Sequence, residues 1–152
     1  MLEVGAPVPT FPVKTDAGET VSLADLKGQR LLVFFYPRSD TPACTTEACE
    51  IRDNVGEFGA LGVTVIGVSP DSARAQARFK AKFSLPFTLI ADEDHALAEA
   101  FGVWGLKKFM GREYMGVART TYIIEIDGTI GHVIAGVTAK GHAREVLKLL
   151  RG

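Results

Sequence analysis

Apolar positions along the chain fall into short, dense runs separated by longer stretches in which apolar and charged residues mix. Leu31-Leu32-Val33-Phe34-Phe35-Tyr36 is too short for a typical helix and rich in aromatics, the pattern of a strand buried on both faces. The pattern returns at Val63–Ser69 and again near Phe87–Ile90, and a stretch of helical length lies between the first two runs. Asp71–Phe83 carries Ala73, Ala77, Phe79, Ala81 and Phe83 among Arg and Lys, and Glu93–Phe101 is rich in alanine, so both predict helices covering a sheet. This is βαβ spacing, which implies parallel strands joined by crossover helices.

The two ends of the chain read differently. Phe11–Thr15 and Thr20–Leu23 flank Asp16-Ala17-Gly18, which predicts a small N-terminal β-hairpin at a sheet edge. Thr120–Ile126 and Thr129–Ile134 flank Asp127-Gly128, a two-residue hairpin signal that predicts an antiparallel pair closing the sheet. Lys140–Leu150 sets Ala143, Val146, Leu147 and Leu150 on one face, with Gly152 just beyond, as an amphipathic last helix would. Gly105–Gly116, with Lys107, Lys108 and Arg112, reads as a mobile surface loop. The sum is an α/β chain with a mixed central sheet and flanking helices. A thioredoxin-like fold has this arrangement, although periodicity alone also admits other three-layer α/β folds.

Composition narrows the function classes. The chain has 152 residues, 47% of them apolar, which suits a single domain over 1–152 with an ordinary core. Lys and Arg total 17 against 18 Asp and Glu, and a pI near 6.3 gives no general attraction to nucleic acid or anionic lipid. The N-terminus lacks a basic segment followed by an apolar one, and no apolar run approaches the length of a spanning helix, so a cytoplasmic protein is the expectation. A structural disulfide between Cys44 and Cys49 would close so short a loop that it would stabilise little.

Those two cysteines are the candidate chemistry. Thr41 followed by Pro42 has the form of an N-cap with proline at the first helical position, which sets Cys44 third in the helix. There, unpaired N–H groups and the positive end of the helix dipole favour a thiolate over a thiol. The position also lies beyond the carboxyl end of a central strand, where open α/β sheets bind ligands. Set against this, free cysteine is often a small, inert core residue, and Cys49 could merely pack a helix face. His95, His132 and His142 fall on separate elements, which gives no support for a metal site or a Cys-His dyad. The cysteine spacing is not C-x-x-C, and Gly102, Gly105, Gly111 and Gly116 do not follow a strand as a phosphate loop does.

Pro37, Thr41 and Cys44 form P-x-x-x-T-x-x-C, which resembles the peroxiredoxin family. The string Asp40–Cys49, the segment Ser69-Pro70-Asp71-Ser72 and Arg119-Thr120-Thr121 are similar to the subgroup called bacterioferritin comigratory protein, or peroxiredoxin Q, over nearly the whole chain. The resemblance implies a thiol-dependent peroxidase with no cofactor or metal, in which Cys44 is the peroxidatic cysteine and Cys49 the resolving one. It implies that Thr41 and Arg119 orient the peroxide while Pro37 shields the thiolate. A thioredoxin-type reductant and a monomer are further implications. Ala43 and Arg38 depart from the glycine and lysine common in relatives, and neither touches the reacting atoms in the family pattern. Glu47 reads as a first-turn residue facing the dipole, or as a residue steering Arg119.

Ideal helix geometry puts residues five apart roughly 8–9 Å from Cα to Cα, beyond the roughly 7 Å limit of a disulfide. If both cysteines share one continuous helix when reduced, that helix must unwind locally before they bond. A redox-switched binding protein using the same disulfide is the alternative from a different functional class.

Overall fold

Successive side chains of a strand point to opposite faces, and β3 (Arg30–Phe35) shows what that does with an unbroken apolar run. In the computed structural model, which describes residues 1–26 and 28–151, Leu31, Val33 and Phe35 enter one core. Leu32 and Phe34, with Tyr36 just beyond, enter a second core on the other face. The first is covered by α4 (Ala96–Phe101) together with Leu23, Val103 and Val117. The second is covered by α1 (Pro42–Asp53), α2 (Val55–Ala60), α3 (Ala73–Phe83) and α5 (His142–Arg151). Cys44 belongs to this second layer, beside Tyr36, Ala48 and Ile51.

The remaining strands of this sheet are β1 (Val13–Thr15), β2 (Thr20–Val21), β4 (Val63–Ser69), β5 (Thr88–Ala91), β8 (Thr120–Ile124) and β9 (Ile130–Ile134). Their order across the sheet is β2-β1-β5-β4-β3-β8-β9. β3, β4 and β5 run parallel, and every other neighbouring pair is antiparallel. The mixed sheet, the βαβ half, the edge hairpin and the closing antiparallel pair all agree with the sequence reading. The register Phe35↔Val68 and Phe35↔Thr120 brings the C-terminal end of β3 beside the start of β8, so the loop after β3 and the residue before Thr120 meet at one end of the sheet.

Local chemistry shifts several expected boundaries. The helix expected from Glu93 starts at Ala96, because both carboxylate oxygens of Asp92 accept bonds from the Leu97 and Ala98 N–H groups (2.9 and 2.8 Å) and hold 92–95 as a capping turn. α3 starts at Ala73 rather than Asp71, since Ser72 is its N-cap and accepts the Ala75 N–H at 3.1 Å. The turn at Asp127-Gly128 is longer than the two-residue form. Gly128 N–H bonds Glu125 O and Glu125 N–H bonds Thr129 O, while Gly128 alone takes positive φ (87°). Three residues, 126–128, therefore span the turn. Gly152, expected to end the last helix, lies outside the described residues.

One expectation fails outright. Gly105–Gly116 is not a loop but a hairpin of its own, β6 (Trp104–Phe109) and β7 (Arg112–Val117), paired from Trp104↔Val117 to Phe109↔Arg112. Clean polar–apolar alternation is missing because both faces carry apolar groups, with Leu106, Phe109, Tyr114 and Met115 all exposed. Its two-residue turn has Met110 at φ 50° and Gly111 at φ 80°, the geometry that favours Asn-Gly. Met110 is 87% exposed and anchors nothing that would offset a left-handed backbone. Met110→Asn should therefore stabilise the fold by about 0.5–1 kcal/mol and Met110→Val should destabilise it, as read by denaturant midpoints at constant m-value.

Candidate active site

The loop from Pro37 to Thr41 is pinned before α1 begins. Asp71 accepts the Ser39 N–H at 2.7 Å and the Ser69 hydroxyl at 2.6 Å, tying the loop to the end of β4. Asp40 sits at φ 58°, and its carboxylate takes the Lys82 ammonium at 2.9 Å. Tyr36, just ahead, is buried and donates its hydroxyl to Gln76 at 2.6 Å. Thr41 is the N-cap of α1 and Pro42 its first residue, so Cys44 stands third, as the sequence implies. The Thr41 hydroxyl does not cap the helix, however. It donates back to Arg38 O at 2.8 Å, which leaves the first-turn N–H groups without a side-chain acceptor among the described residues.

Cys44 is 1% exposed, and its sulfur is not simply packed among hydrocarbons. The Arg119 Nη2 donates to Cys44 Sγ at 3.2 Å, and the Nη1 of the same guanidinium donates to Glu47 Oε1 at 2.7 Å. Burial opposes the Arg119 charge, yet the bonds to Cys44 and Glu47 more than offset it and raise its pKa above the ordinary value. Glu47 is fully buried, and burial pushes its carboxyl up to about 7 against the pull of Arg119. Arg119 thus lies between two sulfur and oxygen partners that belong to one face of one helix, three residues apart.

Two further groups approach. Lys107, from β6, donates to Val117 O at 2.9 Å, and its charge faces Arg119 and Cys44. Burial, followed by repulsion from Arg119, lowers its pKa, while Cys44 acts in the opposite sense. His142, the first residue of α5, is buried with Nε2 2.7 Å from Thr121 Oγ1 and 3.9 Å from Glu47 Oε2. Desolvation and the nearby Arg119 lower it to about 4, so the ring is neutral and the approach to Glu47 is not an ion pair. Among the described residues, no group of three or more His, Cys, Asp and Glu could hold a metal ion.

A buried thiol that receives a guanidinium N–H at a helix start is a reactive arrangement, and the comparisons with known proteins agree with it. Residues 4–133 match the AhpC/TSA family. The chain belongs to this family of peroxiredoxins. It is 46% identical to peroxiredoxin Bcp of Bacillus subtilis, covering 99% of this chain and 96% of that protein. Against peroxiredoxin Bcp of Escherichia coli the identity is 45%, with the same coverage. The structure superposes on the Xanthomonas campestris bacterioferritin comigratory protein with a TM-score of 0.90 at 32% identity, covering 99% of this chain and 96% of that one. A thioredoxin-fold peroxiredoxin of the Bcp and peroxiredoxin Q kind is what the chain resembles throughout, and thiol-dependent peroxidase activity follows from that membership.

Of the residues singled out from sequence, Cys44 and Arg119 are in direct contact, while Thr41 and Pro37 belong to the pinned loop just ahead of Cys44. Cys49 is a free, partly buried thiol in the same unbroken helix. Glu47, expected as a first-turn residue facing the dipole or as one steering Arg119, lies beyond the first turn and bonds Arg119. His142 and Lys107 had no local signal, since each reaches the site only through long-range packing.

The Glu47 shift carries a signed pH dependence. Because its folded value, about 7, lies above its ordinary value, its contribution to stability is complete below about pH 4.5 and is lost as pH rises through 7. Glu47→Gln should therefore gain on the wild type across that window, by on the order of 3 kcal/mol at its upper end. Chemical denaturation of both proteins from pH 4.5 to 8 checks this, and parallel curves would contradict it.

Proposed function

We propose that this peroxiredoxin reduces hydrogen peroxide and organic hydroperoxides, with Cys44 as the attacking thiolate and Cys49 as the resolving thiol. The observation that carries the reading is the Arg119 guanidinium at 3.2 Å from a sulfur third in a helix. A relative of the same subgroup, the Xanthomonas campestris protein, has alkyl peroxide reduction activity. The sulfur attacks one peroxide oxygen in line with the O–O bond. That bond breaks, Cys44 becomes a sulfenic acid, and the departing oxygen takes a proton and leaves as water or an alcohol. Charge grows on the departing oxygen, where the Arg119 N–H groups and the uncapped first-turn N–H groups stabilise it, joined by the Thr41 hydroxyl once it gives up its bond to Arg38 O. Pro37 covers the thiolate from the loop side.

Cys49 then displaces water from the sulfenic acid, giving an intramolecular disulfide that an external dithiol of the thioredoxin type reduces through a mixed disulfide. Recycling by a dithiol needs a reducing compartment, so the reading is of a cytoplasmic enzyme, working as a monomer because both thiols of the cycle lie in one chain. Thiol titration after one equivalent of hydrogen peroxide tests the reading. Both thiols should disappear rapidly in the wild type, Cys44→Ser should consume no peroxide, and Cys49→Ser should react once and stop at a trappable sulfenic acid. Equal loss of activity in the two variants would reject Cys49 as resolving.

Geometry makes the second step conditional. Both cysteines lie in α1, which runs unbroken over Pro42–Asp53, so the disulfide requires the helix to open between them. Downstream, α1 is anchored by the Glu50 carboxylate accepting Gly141 N–H at 2.8 Å and by Arg52 Nη1 donating to Phe83 O at 2.7 Å. Oxidation should accordingly expose amide protons from Cys44 to Cys49 to exchange while those near Arg52 stay protected. Hydrogen exchange on the disulfide form reads this directly, and retained helical protection over 44–49 would sink it.

A further inference from the structure

We propose that His142 is a positioning residue for Arg119, acting through Glu47 and itself held in place by Thr121. The inference rests on the reading of Arg119 as part of the peroxidatic site. Its basis is a pair of buried polar atoms that lack hydrogen bonds among the described residues, Glu47 Oε2 and His142 Nδ1. Glu47 has one oxygen on Arg119 and the other turned to His142 Nε2 at 3.9 Å. His142 has Nε2 on Thr121 Oγ1 at 2.7 Å and nothing on Nδ1.

The tautomer follows from that asymmetry. A neutral imidazole carries one N–H, and a buried N–H without an acceptor is a worse defect than a bare acceptor nitrogen. The proton therefore sits on Nε2, directed at Thr121 Oγ1 with Glu47 Oε2 as the second acceptor nearby. The start of α5 and the Arg119 guanidinium both disfavour a second proton on the ring. His142 thus offers Glu47 a fixed N–H dipole without a second positive charge to compete with Arg119.

The groups facing the Glu47 carboxyl are few. Arg119 approaches from the β7–β8 connection and His142 from α5, with Cys44 and Glu50 on its own helix. Lys107, from β6, faces Arg119 and Cys44. Burial favours the protonated carboxyl, Glu50 adds to that, and Arg119 opposes it. The Nε2–H dipole is the remaining group that favours the carboxylate, the form that holds Arg119 by a charge-assisted bond. Weakening the dipole lets Glu47 protonate at higher pH, and Arg119 then loses the anchor that fixes it beside the sulfur. Thr121 works in the opposite sense, since it holds that N–H at 2.7 Å and directs it away from Glu47 Oε2.

The test follows the Glu47 carboxyl itself, by carbon-13 NMR of full-length reduced protein labelled at glutamate, with the resonance assigned by its loss in Glu47→Gln. His142→Leu should raise the Glu47 midpoint by less than the roughly one pH unit of a full hydrogen bond, because the Nε2–H dipole acts on Oε2 from 3.9 Å without bonding it. His142→Gln, which keeps a side-chain N–H donor, should restore most of that shift, and Thr121→Val should lower the midpoint by giving Nε2–H wholly to Glu47. The pH profile of Cys44 oxidation by hydrogen peroxide should move upward with His142→Leu, but not when that change is made in Glu47→Gln. Midpoints that stay put in both His142→Leu and Thr121→Val, or that move in the same direction, would overturn the proposal. So would a His142→Leu effect of equal size in the Glu47→Gln background. If His142→Leu does not fold, Thr121→Val with His142→Gln decides the matter, since the proposal then requires a lowered midpoint in the first and a near-native one in the second. A wild type whose Cys44 ignores peroxide would refute the proposed function while leaving the carboxyl titration readable.

Discussion

The Arg119 guanidinium, shared between Cys44 Sγ and Glu47 Oε1, is the constraint around which this end of the molecule is organised. A planar fork of donors spans two acceptors on one helix face, which a point-like ammonium cannot do. All three groups are nearly or wholly removed from water, with the Arg119 side chain 16% exposed and that of Glu47 fully buried. Removing the guanidinium from such a set leaves the buried Glu47 carboxyl without its counter-charge, a far larger penalty than an exposed ion pair carries. The bonds also join α1 to the residue preceding β8, so the helix that bears the sulfur is referenced to the central sheet and not to its own loop alone.

Around that junction the surrounding contacts divide into those that hold and those that tune. Asp71, Lys82 and Gln76 hold the approach from β3, and Glu50 and Arg52 hold the far half of α1. The segment between them, 44–49, depends instead on the Arg119 contacts and on apolar packing of Cys44 and Ala48. A helix secured at its far end and electrostatically secured at its near end suits the chemistry proposed here. In the proposed reaction, converting the Cys44 thiolate to a sulfenic acid would remove the charge facing Arg119 just before the helix has to open.

His142 and Lys107 show why tuning groups escape a reading of the sequence. Neither shares an element with Cys44, and neither lies in a motif. His142 reaches Glu47 because Ala143, Val146 and Leu147 dock α5 in the second core and because Glu50 accepts the Gly141 N–H, two contacts made across about 90 residues of chain. Lys107 reaches the site because Gly105–Gly116 forms a hairpin through a Met-Gly turn, where turn chemistry would have called for Asn-Gly.

Most elements that local physics controls were legible, the hairpin through Met110-Gly111 being the exception. The apolar run of β3, the spacing to β4 and β5, the Thr41-Pro42 start of α1 and the face of α5 each express a periodicity or a backbone preference that needs only neighbouring residues. Sequence also determined the third-position cysteine and, through family pattern, its association with Arg119. Tertiary structure alone decided the charge environment: that Glu47 is buried on Arg119 and not spent on the helix dipole, that Thr41 turns its hydroxyl to Arg38 and not to the helix, and that a neutral histidine closes the site from behind. Those outcomes depend on desolvation and on distances between groups far apart in the chain, and no local pattern of residues encodes either.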